Sequence, residues 1–573
     1  MIAKHRIPRA AYDALCAGAA DRTGLAALDA AQLSKHLLLL RMVVEQLAGS
    51  PGRTVAGEAL RLLEEVRRHH RPAFETALLY PYVGAGLAGC LRSLRADGDT
   101  ATVAGFLARV AVTAAAHAGR EATLDRVPVS GPMHLPALGT VTAVPAAGVV
   151  SLTTSAYRIT AGEVSVDLAA PRHDRPGWIP VRPLTTEAGR ARPLFDDVDP
   201  YREASGLTVG PRPVPTEFSR WRDRFAGADA LLSDRHPQRA EQVAALVRAV
   251  TPLAVLLPGQ GRSVSAWQAY GAVSLTLPAD ASSFAVTLIH ESQHSIFNAM
   301  LDLVDLYDPA DRRVYYSPWR ADPRPLRGLL HGCYAFAAVA EYWSVECAVP
   351  GAEPQAAYEA ARAAIQVRQA LDTLDGVASL TADGRHVVAQ LRQRLEALGT
   401  QAPMRTAGHL AGLACDDHRL SWRLRVLLPH ADAVGDAARA WLEGGVPRGL
   451  GGTARTADTV DTFVPNERAS RLGHLARHGR VGTPTGDADA YLADHDYQAA
   501  AEAYLVAIRS DGDDLNAWTG LAMAGSRRGG AAAHVWSHRP EFVRAVYKRL
   551  AATPAPPPDP LTLAEWLADG SGG

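Results

Sequence analysis

The sequence predicts an α+β protein that is predominantly α-helical. Three observations predict this class. Apolar residues recur at three- and four-residue spacing near the N-terminus, as in AALDAAQLSKHLLLLRMVVEQL. Between about residues 127 and 192, short β-branched runs separated by Pro and Gly are typical of strands. Helical periodicity then resumes and continues, with interruptions, to the C-terminus. We therefore expect one small β-sheet region within a mostly helical chain.

These patterns divide the chain into five expected regions. They are an N-terminal helical region (1–125), a small β-rich region (126–215), a helical core (216–445), a linker rich in Gly, Thr and Arg (446–485), and a C-terminal helical region (486–573).

The C-terminal region has tetratricopeptide-like (TPR-like) spacing. In DYQAAAEAYLVAIRSDGDDLNAWTGLA, small and aromatic residues recur as in a TPR helix pair, at Tyr497, Ala500, Tyr504 and Ala507, with Trp518 and Leu521 opening the next helix. A single repeat cannot bury its own faces, so we expect it to dock on neighbouring helices.

Composition excludes several classes of protein. The 573 residues carry 59 Lys and Arg against 60 Asp and Glu, which argues against a nucleic-acid or anionic-membrane footprint. The five cysteines form no C-x-x-C pair, and the most apolar stretch, residues 101–119, contains Arg109 and His117. We therefore expect a soluble cytoplasmic protein that binds neither nucleic acid nor membrane.

Within the predicted core, the pattern gives alternating helices and strands. We expect a helix over 217–249, strands in PLAVLLP and AVSLTLP, and a helix over 282–304 with Asp280 or Ser282 as N-cap. Four prolines in residues 305–327 predict an irregular segment. Further helices are expected over 328–347, 354–374, 382–398 and 431–443.

The motif that carries chemistry is His290-Glu291-Ser292-Gln293-His294, an H-E-x-x-H inside the helix expected over 282–304. Because one helical turn is about 3.6 residues, His290 and His294 lie on one helix face and can present two imidazoles to one metal ion. This pattern predicts a zincin-like core. The alternative is that both histidines are satisfied by ordinary partners.

A catalytic metal normally needs a third protein ligand. The next predicted helix, GLLHGCYAFAAVAEYWSVE, offers His331 and Glu341. Ten helical residues separate them by about 15 Å along the axis, so both cannot bind one ion. Charge neutralisation slightly favours Glu341, whereas an arginine-paired Glu341 and a His331 that bonds to the preceding loop are the ordinary alternatives.

Two chemistries fit this ligand set. In a gluzincin-like zinc peptidase, Glu291 acts as general base on metal-bound water. In an oxygenase, two histidines and one carboxylate hold iron(II) and leave positions for a 2-oxo acid and dioxygen. A 2-oxoglutarate co-substrate also needs a cation, and the candidates, which are equally explained as solvated loop arginines, are Arg320, Arg324 and Arg327.

The motifs together resemble a known family. The H-E-x-x-H helix is followed by YYSPWRADPRPLRGLLHGCYAFAAVAEYW, and AAQLSKHLLLLRMV, LLYPYVGAGLAGCLRSL, FDDVDPYR and RPEFVRAVYKRL occur in the same order. The chain is thus similar to bacterial H-E-x-x-H proteins encoded near ribosomally made peptides and radical S-adenosylmethionine (SAM) peptide maturases. Members are described as iron(II)- and 2-oxoglutarate-dependent peptide β-hydroxylases.

The resemblance implies roles for the motif residues. His290 and His294 become iron ligands, completed by His331 or Glu341, and Glu291 positions a ligand or a water. Our first hypothesis is a β-hydroxylase of a ribosomally synthesised precursor peptide, working alongside a radical SAM maturase. The second is a zinc metallopeptidase, and the third is a peptide-binding scaffold with a vestigial metal site.

Overall fold

A computed structural model describes residues 5–96, 98–155, 158–167, 173–185, 189–256, 261–398, 405–447, 454–457, 467–479 and 487–570. The chain is mostly helical with small sheets, which confirms the predicted α+β class. It forms two compact units, Met1–Leu306 and Tyr307–Gly573. Their boundary falls inside the predicted core 216–445, so the H-E-x-x-H helix and the candidate third ligands belong to different units.

Six helices open the first unit, where the sequence predicts a helical region. They are α1 (Arg9–Cys16), α2 (Arg22–Gln46), α3 (Arg53–His69), α4 (Arg71–Leu78), α5 (Pro81–Arg95) and α6 (Thr100–His117). By length and hydropathy α6 is the one described helix that could span a membrane, yet 72% of it is buried inside the unit. It packs on α3, α4 and the strand that follows, and its residues belong to the main apolar cluster of this unit.

The predicted β-rich region contains two antiparallel sheets. Its strands are β1 (Ala122–Val129), β2 (Met133–Leu135), β3 (Gly139–Val141), β4 (Gly148–Ser155), β5 (Arg158–Ala161), β6 (Val164–Asp167) and β7 (Trp178–Pro180). The first sheet has the order β1-β4-β5-β6 and the second the order β2-β3-β7. The inward face of the first sheet rests on α6, which explains why the strands alternate between buried and exposed residues.

A third, mixed sheet lies beside the H-E-x-x-H helix. Its strands are β8 (Arg182–Pro183), β9 (Leu194–Phe195), β10 (Ala249–Pro252), β11 (Ser263–Val264) and β12 (Ala272–Leu275). The helices of this region are α7 (Pro215–Arg235), α8 (Pro237–Leu246) and α9 (Ala281–Leu301), which carries the motif. A single 3-10 turn at Arg202–Ser205 follows β9. The strand order is β11-β12-β10-β9-β8. Strands β9, β10 and β12 are parallel, while β11 is an antiparallel strand at the edge.

Two boundaries in this region differ from prediction. The helix expected over 217–249 is two helices, because Pro237 lacks the amide that would continue α7 and instead opens α8. The strand expected in PLAVLLP begins earlier and ends at Pro252. The strand in AVSLTLP and the helix over 282–304 are confirmed, and Asp280 is the N-cap, accepting the Ser283 amide at 2.7 Å.

The second unit begins with a short antiparallel strand pair and is otherwise almost entirely helical. Its elements are β13 (Val314–Tyr315), β14 (Arg324–Pro325), α10 (Leu326–Cys347), α11 (Pro354–Asp375), α12 (Ala382–Ala397), α13 (Arg405–Val426), β15 (Leu427–Leu428), α14 (Ala431–Leu442), β16 (Arg455–Thr456), α15 (Glu467–His478), α16 (Ala488–Ala493), α17 (Tyr497–Ser510), α18 (Leu515–Arg527), α19 (Ala532–His538), α20 (Pro540–Ala551) and α21 (Pro560–Asp569).

Three features of the second unit differ from prediction. Residues 305–327 are not wholly irregular, since β13 pairs with β14 and Pro325 is tolerated in a strand of only two residues. Helix α13 was not predicted. Helix α15 lies inside the expected linker 446–485, with Arg468 and Leu472 buried. The predicted helix pair α17–α18 is present and shares an apolar cluster with α13, α20 and α21, as docking on neighbours requires.

Candidate metal centre

Helix α9 presents its two motif histidines from an otherwise buried surface. Between Leu288 and Met300, every residue except His290 and His294 is buried. Their imidazole rings are 4.4 Å apart between centroids and inclined at 83°. The helix packs on α2, α7, α8 and β12, so burial surrounds it on its other faces. The i, i+4 spacing therefore places two adjacent imidazoles at the only part of this stretch that is accessible, as predicted.

The His290 imidazole is suited to metal binding by its protonation state. Its side chain is 21% exposed, and burial lowers its pKa below the ordinary value of 6.5. A neutral imidazole keeps the nitrogen lone pair that a metal ion requires. His290 can therefore act as a ligand at neutral pH without first losing a proton.

Glu291 points into the unit beside the histidines. The residue is 1% exposed, and its Oε2 accepts a hydrogen bond of 2.8 Å from the hydroxyl of Ser265. Its Oε1 is 3.9 Å from Nε2 of His290. Ser265 directly follows the edge strand β11, so the sheet orients this carboxylate. The sequence singled out Glu291 but gave no sign of Ser265, because a contact between residues so far apart leaves no periodic signal.

The candidate third ligands lie in the second unit, on α10. Both are on one helix, as predicted, so their separation again allows only one of them to bind a given ion. Glu341 Oε2 is 2.5 Å from a guanidinium nitrogen of Arg394 in α12, with side chains 24% and 15% exposed. This is the arginine-paired arrangement foreseen as the ordinary alternative. The identity of the third ligand remains a prediction.

His331 lies one residue before a close helix–loop contact. Gly332 has no Cβ, and one placed there would lie 2.2 Å from Nε1 of Trp319. Trp319 stacks on Phe336 with centroids 4.6 Å apart and planes inclined by 8°. The residues after β13 therefore cover the first turns of α10 and hold the backbone around His331.

The candidate arginines for 2-oxoglutarate lie near the paired strands of the second unit, with Arg320 between β13 and β14, Arg324 in β14 and Arg327 just after it. Arg320 and Arg324 both bond to Asp322, at 2.9 and 3.0 Å. Burial opposes ionisation of Asp322, yet the Arg324 and Arg320 guanidiniums lower its pKa. Arg327, at the start of α10, is exposed. Arg320 and Arg324 thus already share a carboxylate partner, and the role of the three arginines toward a 2-oxo acid remains a prediction.

Sequence reasoning missed a second group of potential metal ligands. His134, Asp196 and Asp199 are all buried in the first unit, with ligand atoms within 4.8 Å of one another. Asp196 and Asp199 belong to the FDDVDPYR motif, which was noted only for its resemblance. The sequence signal that could have indicated this group is the presence of three aspartates, Asp196, Asp197 and Asp199, within four residues.

The comparisons with known proteins give no assignment. No family model matches the chain, and no curated protein matches it.

Proposed function

We propose that the protein is an iron(II)- and 2-oxoglutarate-dependent hydroxylase that acts on the β-carbon of a residue in a ribosomally synthesised precursor peptide. The observation that carries the metal dependence is the pair His290 and His294, which are the only accessible residues between Leu288 and Met300. Imidazoles suit iron(II) and zinc alike, so the choice of oxygenase rests on the family resemblance and on the setting of Glu291.

Iron(II) bound by His290 and His294 would supply activation of dioxygen, with 2-oxoglutarate converted to succinate and carbon dioxide as the co-substrate. The two imidazoles hold the metal from one helix face. His331 or Glu341 stays the sequence-based prediction for a third ligand, and the carboxylate of Glu341 already pairs with Arg394.

The setting of Glu291 supports a positioning role. A hydrolytic general base must reach metal-bound water and exchange protons with solvent. Glu291 is 1% exposed and is held by the Ser265 hydroxyl. Its remaining oxygen, beside His290, can accept a hydrogen bond from a ligand or a water and fix its orientation.

The edge strand supports a peptide as substrate. A zincin-like core, which we propose here, places its metal helix against a sheet with an antiparallel edge strand. Among the described residues, no strand pairs with the outer side of β11. Extended peptides bind such edges by continuing the hydrogen-bond ladder. A peptide added to β11 would pass Ser265, which contacts Glu291 next to His290.

The remaining surfaces supply partners in this proposal. The TPR-like pair α17–α18 and the N-terminal helices are suited to holding a leader segment. A radical SAM maturase acting on the same peptide is a partner by resemblance alone. The cytoplasm, where iron(II), 2-oxoglutarate and newly made peptide coexist, is the proposed location.

The test is oxygen transfer under controlled metal loading. Protein loaded anaerobically with iron(II) is incubated with 2-oxoglutarate, ¹⁸O₂ and the peptide encoded beside its gene. We expect succinate and a peptide that gains one labelled oxygen atom. His294→Ala should abolish both. His534→Ala is the matched control, because His534 and His538 form another i, i+4 pair with ring centroids 4.1 Å apart. Absence of succinate from iron-loaded protein would overturn the proposal.

The alternative is a gluzincin-like zinc metallopeptidase acting on a peptide. The observation that favours it is the 3.9 Å separation of Glu291 Oε1 from His290 Nε2, which places a carboxylate oxygen beside any water on a metal held there. Cleavage that continues without oxygen, incorporates oxygen from water and disappears in Glu291→Gln would establish this function instead.

A further inference from the structure

A buried polar cluster in the first unit contains three side chains of the types that bind metal ions. His134, Asp196 and Asp199 are 7%, 0% and 1% exposed. Their ligand atoms lie within 4.8 Å of one another. His134 lies on β2, whereas Asp196 and Asp199 follow β9 in the mixed sheet. The cluster therefore joins two different sheets of the unit.

The surroundings orient both carboxylates and leave part of each available. Asp196 Oδ1 accepts the amides of Val198 and Asp199, at 3.1 and 2.9 Å, and its Oδ2 accepts the Tyr80 hydroxyl at 2.5 Å. Asp199 Oδ1 accepts the Tyr201 amide at 2.7 Å. Each carboxylate oxygen has two lone pairs, so Oδ2 of both residues retains at least one for a further partner.

A contact with Thr140 orients the imidazole of His134, as a second contact typically does for a histidine that binds a metal. Nδ1 of His134 lies 3.0 Å from the hydroxyl of Thr140, its neighbour across β2 and β3. When Nδ1 carries the proton and donates it to Thr140, Nε2 keeps its lone pair and faces the carboxylates. Metal-bound histidines typically donate their other ring N–H to an acceptor in this manner.

The contact between His134 and Asp199 has room for a cation. Nε2 of His134 is 2.9 Å from Oδ2 of Asp199, yet it makes no hydrogen bond. When Nδ1 carries the ring proton, two lone pairs face each other at that distance, and they repel unless a metal ion lies between them. Neighbouring ligands of one ion, each about 2.1 Å from it, lie roughly 3.0 to 3.4 Å apart, which is close to the separation found.

The charges of the cluster favour a divalent ion. The three hydrogen bonds to Asp196 come from uncharged groups. The intervening Asp197 instead binds two guanidiniums, those of Arg182 and Arg212. Burying two carboxylates together is unfavourable unless their charge is neutralised. A proton on His134 offsets one negative charge, whereas a divalent ion offsets both.

We propose that His134, Asp196 and Asp199 bind a divalent first-row transition-metal ion, for which Zn²⁺ is the probe. One imidazole and two carboxylates suit zinc, manganese or iron better than calcium or magnesium, which prefer oxygen alone. Burial of all three ligands gives the ion a structural role. It joins β2 to the segment after β9 and is a second ion besides any held by α9.

The test removes the two histidines of α9 and measures how much zinc the protein still binds. The full chain carrying His290→Ala and His294→Ala is equilibrated with Zn²⁺, desalted and analysed for metal. We expect about one zinc per chain, lost when His134→Gln is added. His534→Gln, which disrupts an exposed histidine pair, should leave the count unchanged. A chelator should lower the unfolding temperature of the His290→Ala/His294→Ala protein.

A second measurement decides the matter if His134→Gln does not fold. X-ray absorption of zinc in the His290→Ala/His294→Ala protein should show one imidazole with oxygen ligands. A folded protein that retains no zinc, or zinc bound by two imidazoles, would overturn the proposal. The first result would leave a proton as the cation between His134 and Asp199.

Discussion

At the scale of single residues, position within a helical turn decides most of the candidate site. His290 and His294 were predictable because the i, i+4 relation is local and holds in any regular helix. Ser265 and Arg394 were not, since they meet Glu291 and Glu341 from 26 and 53 residues away. A one-dimensional pattern carries no record of which distant side chain arrives beside a given carboxylate.

The pairing of Glu341 with Arg394 leads to a prediction about stability. We expect Glu341→Gln to lower the unfolding temperature, because Arg394 is only 15% exposed and loses its carboxylate. Thermal unfolding of the variant and the wild-type protein checks this. An unchanged unfolding temperature would contradict the prediction.

His36 gives a prediction about pH. It is 2% exposed, its Nδ1 is 2.7 Å from the Leu78 carbonyl, and burial lowers its pKa from 6.5 to about 4. Below pH 6.5 His36 binds a proton in the unfolded chain, whereas in the folded chain it binds one only near pH 4. The free energy of unfolding therefore decreases as the pH falls from about 6.5 to about 4. Between pH 7.5 and 5 we expect a loss of about 2 kcal/mol from this residue.

The variant His36→Gln tests the effect, because glutamine can still donate to the Leu78 carbonyl but does not titrate. Urea unfolding at pH 7.5 and pH 5 should show a pH dependence reduced by about 2 kcal/mol. His69→Gln, at an exposed position at the end of α3, is the control and should keep the wild-type pH dependence. The same dependence in His36→Gln would contradict the prediction.

At the scale of elements, helix caps and helix-breaking prolines could be predicted from the sequence, whereas helices with a buried charge could not. Asp280 begins α9 and Pro237 separates α7 from α8, both for reasons local to the backbone. Helices α13 and α15 escaped prediction because each carries a charged residue on its buried face. Asp417 of α13 and Arg468 of α15 bond to each other at 4% and 3% exposure. A charge at a core position interrupts the apolar periodicity that identifies a helix.

Helix α5 gives a prediction about close packing. A Cβ at Gly84 would lie 2.3 Å from Nε2 of the buried His36 and 3.1 Å from the Gln268 carbonyl oxygen. We therefore expect Gly84→Ala to destabilise the protein by about 1–3 kcal/mol. Gly57→Ala in α3 is the matched control, since no atom lies within 4 Å of its Cβ, and it should stabilise by up to about 1 kcal/mol. Thermal unfolding should shift in opposite directions; equal shifts would count against the contact.

At the scale of the whole molecule, the chain is organised as two units, each with its own apolar cluster. The periodicity of apolar residues predicted a mostly helical protein. The periodicity did not locate the boundary after Leu306, because that boundary depends on which distant segments pack together. The linker expected at 446–485 shows the difference, since α15 within it packs on α11 and α13.

The cohesion of the second unit gives a prediction about Arg468. Its guanidinium bonds to Asp417, to Asp489 at 2.7 Å and to the Asn516 carbonyl at 3.0 Å. Arg468→Met leaves Asp417 buried without this partner and should cost about 3–5 kcal/mol. Arg439→Met, which removes an ion pair about two-thirds exposed on both sides, should change stability by less than about 1 kcal/mol. Urea unfolding followed by circular dichroism compares them, and similar costs would contradict the prediction.

Local order along the chain is enough to predict the helical class, the cap of α9 and the pair His290 and His294, because each depends on residues within one or two turns. Tertiary structure alone decides that Ser265 holds Glu291, that Arg394 pairs with Glu341, and that His134 meets Asp199. The physical reason is the separation along the chain over which each interaction acts. Helical periodicity and capping act between neighbours, whereas burial and ion pairing act between whichever segments the packing of the core brings together.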